Sequence, residues 1–95
     1  MRKIDCCPLC DQPYGLGHNH PRRNSRHHIF PRRWYPDSTL IVPVCQTCHD
    51  EFNREYQNKA RERWSKVMCV RMWCAFCMSK GINATRIYPE LIGYV

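Results

Sequence analysis

Acidic residues are scarce in this chain, and long apolar runs are missing altogether. Eight Asp and Glu stand against fifteen Lys and Arg, a formal net charge of +7. Eleven of the fifteen cations are arginine, whose planar fork suits phosphate. The balance points to a nucleic-acid partner, although a basic surface that only keeps the chain dissolved would carry the same charge. Because the longest apolar runs span only a handful of residues, no membrane-spanning helix is expected. MRKIDCC carries no apolar h-region, so no export signal is expected at the start of the sequence. With 95 residues there is room for one small domain but not for two independent cores.

What the chain does have is cysteine, eight residues of it. So many in so short a chain would fit a secreted disulfide framework. Two Cys-x-x-Cys pairs near histidines fit thiolate-bound zinc in a reducing cytoplasm better. The pairs are Cys7-Pro8-Leu9-Cys10 and Cys45-Gln46-Thr47-Cys48, and together they make a closed four-sulfur site. Such a site leaves no open coordination position, so its zinc is structural. A structural ion contributes on the order of 10 kcal/mol, enough to decide whether a domain with a thin core folds. Cys74-x-x-Cys77, with Cys6 and Cys69, offers sulfurs on paper for a second zinc, but the reading preferred is unliganded thiols, those of the helix buried in an apolar setting and Cys6 half-buried.

Patterning divides the chain into short elements. Residues 13–25 are rich in Gly, Pro and Asn and read as a basic loop, in which His18 and His20 are solvated rather than ligating. Arg26 to Phe30 reads as a short strand ended by Pro31, and PRRWYPDS as a turn. Thr39 to Val44 reads as a second strand, and a helix begins near Gln46. The helix should break near Asn58. From about residue 59 to Lys80 the spacing predicts a long amphipathic helix with Trp64, Val67, Met68, Met72, Ala75 and Phe76 inward and Gly81 as its stop. The apolar tail, residues 82–95, should fold back onto it.

The central stretch carries three imidazoles, His27 and His28 on the first strand and His49 at the helix start. Neutral imidazole is both a first-row metal ligand and a general base with a pKa near ~6.5. Neighbours on a strand point to opposite sides, so one of His27 and His28 should bind metal and the other do acid/base work. The run His27-His28-Ile29-Phe30-Pro31, followed by Val42-Pro43-Val44-Cys45-x-x-Cys48-His49 with Cys7-x-x-Cys10 upstream, resembles the HNH endonuclease family over about residues 7–57.

That resemblance implies an α+β fold: a small ββα-metal core, a four-cysteine structural zinc and, in this chain, an added long C-terminal helix. It implies His27 and His49 as ligands of a catalytic divalent cation, Asn53 as a further ligand or substrate contact, and His28 as general base. The family's middle asparagine falls at Leu40, where Asp37, Ser38 or Thr39 would have to supply the loop's hydrogen bonds. Imidazole ligands favour Mn²⁺, Ni²⁺ or Co²⁺ at least as much as Mg²⁺. Arg22, Arg23, Arg26, Arg32 and Arg33 flank the histidine strand and are expected to grip DNA phosphates, with Arg54 and Lys59 extending the track. The expected activity is a DNA endonuclease or nickase of weak sequence specificity, a monomer or weak homodimer. The alternative is a non-catalytic zinc module that binds nucleic acid.

Overall fold

The computed structural model describes residues 5–94. Two short strands, β1 (Asn24–His28) and β2 (Ile41–Cys45), pair antiparallel, with His27 opposite Val42 and Ser25 opposite Val44. Because side chains alternate along a strand, Ser25 and His27 share the face on which Val42 and Val44 are buried. A two-stranded ribbon is marginal by itself, and here its inner face lies on helix α1 (Gln46–Glu55).

β1 lies two residues earlier than its pattern predicts. Ile29 and Phe30 leave the strand in a bend before Pro31 and are almost completely buried, while Ile29 N–H still reaches Leu40 C=O at 3.1 Å. The turn after Pro31 is closed by Trp34 N–H and Tyr35 N–H donating to Pro31 C=O at 2.9 and 2.8 Å. β2 runs without interruption into α1, because Cys45 has extended backbone and its sulfur accepts from Cys48 N–H as the helix cap. The metal-ligand spacing and the helix start are therefore one local feature.

Helix α1 gives way to a 3₁₀ turn over Gln57–Lys59 and an irregular segment. Helix α2 then spans Lys66–Ser79, a later start than residue 59, because Ser65 caps it by accepting from Met68 N–H at 3.2 Å. Its stop is the predicted one. Gly81 has φ +74°, Gly81 N–H bonds Met78 C=O, and Ile82 N–H bonds Cys77 C=O at 2.9 Å, the paired bonds of a Schellman ending.

The face of α2 that meets the core is a correction. Phe76 is buried as expected and Trp64 and Met72 pack half-buried against the core, but Val67, Met68 and Ala75 are exposed, and Cys69, Val70, Trp73 and Cys77 are buried in their place. Both stripes have helical spacing, and Phe76 belongs to both. Trp73 sits at the centre, its ring 4.9 Å from Phe52 of α1 and 5.6 Å from Phe76. The tail returns through a short helix, α3 (Ala84–Ile87), and a 3₁₀ segment over Pro89–Tyr94. Its buried Tyr88 donates its hydroxyl to Pro43 C=O at 2.7 Å, fastening the tail to β2. Among the described residues, no helix is long and apolar enough to cross a membrane.

Candidate metal centre and histidine cleft

The sulfurs of Cys7, Cys10, Cys45 and Cys48 converge so that all lie within 4.8 Å of one another. Cys10 Sγ and Cys45 Sγ are 3.7 Å apart, against the ~3.8 Å that tetrahedral geometry with ~2.3 Å Zn–S bonds requires. The arrangement fits a structural ion such as zinc. Backbone N–H groups aim at the sulfurs: Cys45 N–H reaches Cys7 Sγ at 3.3 Å and Cys48 N–H reaches Cys45 Sγ at 3.5 Å. Hydrogen bonding from Cys48, with help from backbone N–H groups, holds the Cys7 thiol down to about 4, and the same contact with Cys7 pushes Cys48 up. One thiolate thus forms readily and opposes its neighbours' ionisation, a conflict a divalent cation would remove.

Arg22 belongs to this centre. Its guanidinium donates to Cys10 Sγ at 3.1 Å and lies 3.8 Å from Cys45 Sγ, so the side chain expected on phosphate is turned onto thiolate. A Zn²⁺ with four thiolates carries two net negative charges, and this cation partly offsets them. No signal in the sequence separated Arg22 from its neighbour Arg23. The sulfurs considered for a second zinc do not assemble: among the described residues, the four-cysteine group is the one place where three or more His, Cys, Asp or Glu ligand atoms come together. Burial instead pushes the Cys69 and Cys77 thiols up to about 11 and about 12.

The three histidines lie on or beside helix α1, whose first turn carries Cys48 of the four-cysteine cluster. His27 is buried, and its Nδ1 is 3.3 Å from Nε2 of His49. Nitrogens sharing a first-row ion at ~2.1 Å, at angles between octahedral and tetrahedral, are ~3.0–3.4 Å apart, so this pair could share an ion or a proton. The other nitrogen of His49 is 2.7 Å from Ser25 Oγ, which fixes the ring's orientation. His27 stacks on Trp73 with ring centroids 4.3 Å apart. Burial lowers the pKa of both imidazoles, His27 well below its usual value, and keeps them neutral as ligation requires.

A cleft of about 270 Å³ opens over this pair, lined also by His28, Arg32, Arg33 and Asn53. Asn53, one helical turn beyond His49, has its Oδ1 buried without a hydrogen-bond partner. A buried carbonyl oxygen without a partner costs ~1–3 kcal/mol, and a cation held by the two imidazoles would give it one. The donor set of two neutral imidazole nitrogens and one carbonyl oxygen therefore fits a divalent ion. Ser25 and Trp73 were not singled out in the sequence. Ser25 could have been, since it lies two residues before His27 on the same strand face.

The remaining expected contacts scatter. Arg32 and Arg33 line the cleft, and Arg26 is exposed on the outer face of β1 opposite Pro43. Arg23 donates to His20 C=O at 3.0 Å, while Arg54 and Lys59 both pair with Glu55, at 3.2 and 3.5 Å. His20 is tied into its loop by accepting from Arg22 N–H at 3.0 Å. In the turn that carries Leu40, Ser38 Oγ accepts from Leu40 N–H at 3.5 Å, a long bond beside the main-chain contacts that hold the turn. The chain matches no family model, no curated protein and no solved structure.

Proposed function

We propose that the protein is a divalent-metal-dependent DNA endonuclease or nickase of the HNH kind, with the hairpin and α1 acting as a ββα-metal core. The reading rests chiefly on one juxtaposition. His27 Nδ1 and His49 Nε2 are 3.3 Å apart beside the unpartnered Asn53 Oδ1, in a cleft that His28, Arg32 and Arg33 also line. His27, His49 and Asn53 would hold the cation, which when bound supplies positive charge against the phosphate and the leaving oxygen. His28 takes a proton from water, and the resulting hydroxide forms a bond to phosphorus. The bond from phosphorus to the 3′ oxygen breaks, that oxygen leaves and is protonated, and a 5′-phosphate and a 3′-hydroxyl remain. Arg32 and Arg33 hold the phosphate oxygens in place.

The stacking of His27 on Trp73 favours a second reading, in which the histidines are core residues of a zinc module that binds nucleic acid without cutting it. Plasmid cleavage with Mn²⁺ by wild type and His28→Ala separates the two. Loss of cutting in the variant, with zinc content and melting temperature kept, supports the nuclease. Wild type that cuts with none of Mn²⁺, Ni²⁺, Co²⁺ or Mg²⁺ supports the binding module. Cutting with Mg²⁺ alone would remove the imidazoles from the ligand set.

A further inference from the structure

Two cavities beyond the histidine cleft have no part in the chemistry above. The larger, about 570 Å³, is bordered by Trp34, Tyr35 and the residues that follow them up to Leu40, within the ~300–1,000 Å³ range of small-molecule sites. Phe30, Tyr35 and Tyr94 give it aromatic walls, and Asp37, Ser38 and Thr39 add hydrogen-bonding groups. Lys66 Nζ stands 5.2 Å from the Phe30 ring and 5.6 Å from the Tyr35 ring. The second cavity, about 230 Å³, is lined by Arg33, Trp34, Ala60, Arg61, Glu62 and Arg63, so three guanidinium groups outnumber one carboxylate. Arg33 is stacked 4.3 Å over Trp34, and Arg63 is 5.4 Å from the ring of Tyr35.

Neighbouring members of this series of cavities share a lining residue. Arg33 lines both the histidine cleft and the arginine cavity, and Trp34 lines both the arginine cavity and the aromatic one. Guanidinium groups thus alternate with aromatic rings along one path. That alternation suits a strand whose phosphates meet cations while its bases meet π-faces. A paired duplex hides its base faces in the stack, so only an unpaired or extruded base can enter an aromatic hollow.

We propose that this path binds single-stranded nucleic acid, with phosphates on Arg33, Arg61 and Arg63 and one unpaired base in the hollow walled by Tyr35 and Tyr94. The proposal rests on the nucleic-acid reading above and narrows its substrate to a strand with at least one unpaired base, such as a flap, a gap edge or a mismatch.

The test is fluorescence anisotropy on full-length His28→Ala without added divalent cation. The ligands are a short oligothymidylate, an abasic strand of the same length, the corresponding duplex and an acidic peptide of matched charge. Oligothymidylate should bind ~5-fold or more tighter than the abasic strand, the low end for one base stacked on an aromatic ring. Tyr94→Ala should remove that advantage and leave abasic binding unchanged, Tyr94→Phe should restore it, and thermal melts should show each variant folded. Arg61→Ala with Arg63→Ala should weaken both strands and flatten the salt dependence by ~0.7 in slope for each phosphate no longer neutralised.

Equal affinity for thymidylate and abasic strand, tightest binding of the duplex, or an equally tight acidic peptide would each overturn the proposal. Base-dependent binding by a protein whose wild type never cuts would leave it standing and remove the nuclease. Plasmid cutting without any base preference would do the reverse.

Discussion

Ser25 decides how His49 is presented. Its hydroxyl lies 2.7 Å from His49 Nδ1 and leaves Nε2 facing His27. Partners of this kind typically change metal affinity by ~10–100-fold when removed. Ser25→Ala should therefore weaken Mn²⁺ binding, followed by calorimetry, by about tenfold or more, with little change in melting temperature. A variant that melts early but binds Mn²⁺ normally would make Ser25 a stability residue. His27 carries a second expectation. Burial lowers its folded-state pKa, so the unfolded chain takes up a proton below pH ~6.5 while the folded chain resists it. Stability is full above that value and falls as the pH drops through it. Metal ligation would act with the same sign. Urea melts from about pH 7.5 down to about pH 5.5 should show a steeper acid loss for wild type than for His27→Phe, in which this titration is gone.

At the scale of elements, the hairpin and α1 are joined by Cys45, which is at once a strand end, a helix cap and a candidate ligand. The position of α2 depends on its ends. Gly81 at φ +74° has open space around it, so a methyl group there meets no neighbour and only the left-handed backbone is penalised. Gly81→Ala should cost ~1 kcal/mol in a urea melt. Ser65→Ala should cost a similar ~1 kcal/mol by loss of the cap on Met68 N–H. The ion pair of Lys80 with Glu51, at 3.0 Å, ties the end of α2 to α1, and because both side chains are partly solvated it contributes little beside those two effects.

For the whole molecule, the four-cysteine centre joins residues near position 10 to the strand–helix junction at Cys45. Structural zinc contributes ~10–16 kcal/mol in small metal-bound domains, comparable to the whole ~5–15 kcal/mol stability of an ordinary domain. Removing zinc with a strong chelator should therefore unfold the protein, read as loss of helical circular dichroism. Thiol modification should release one zinc per chain, because Cys69, Cys74 and Cys77 join no ligand group. Two equivalents would contradict that assignment.

The sequence alone determined what depends on neighbours along the chain. The two Cys-x-x-Cys turns, the start of α1 at Gln46 and the stop at Gly81 each follow from a few adjacent residues whose backbone geometry or ligand spacing is local. Only the tertiary structure decided which stripe of α2 is buried beside Phe76, because Val67 and Met68 are as apolar as Val70 and Trp73, and the choice depends on Phe52 and His27 across the core. It also turned Arg22 onto sulfur while leaving Arg32 and Arg33 at the cleft, since a cation's partner is set by whichever charge the fold brings near it. The contact between His27 and His49, 22 residues apart in the chain, exists only because the hairpin lies on α1. Chemistry-bearing residue types can be read from sequence; the nitrogen separation that lets them act together is a property of packing.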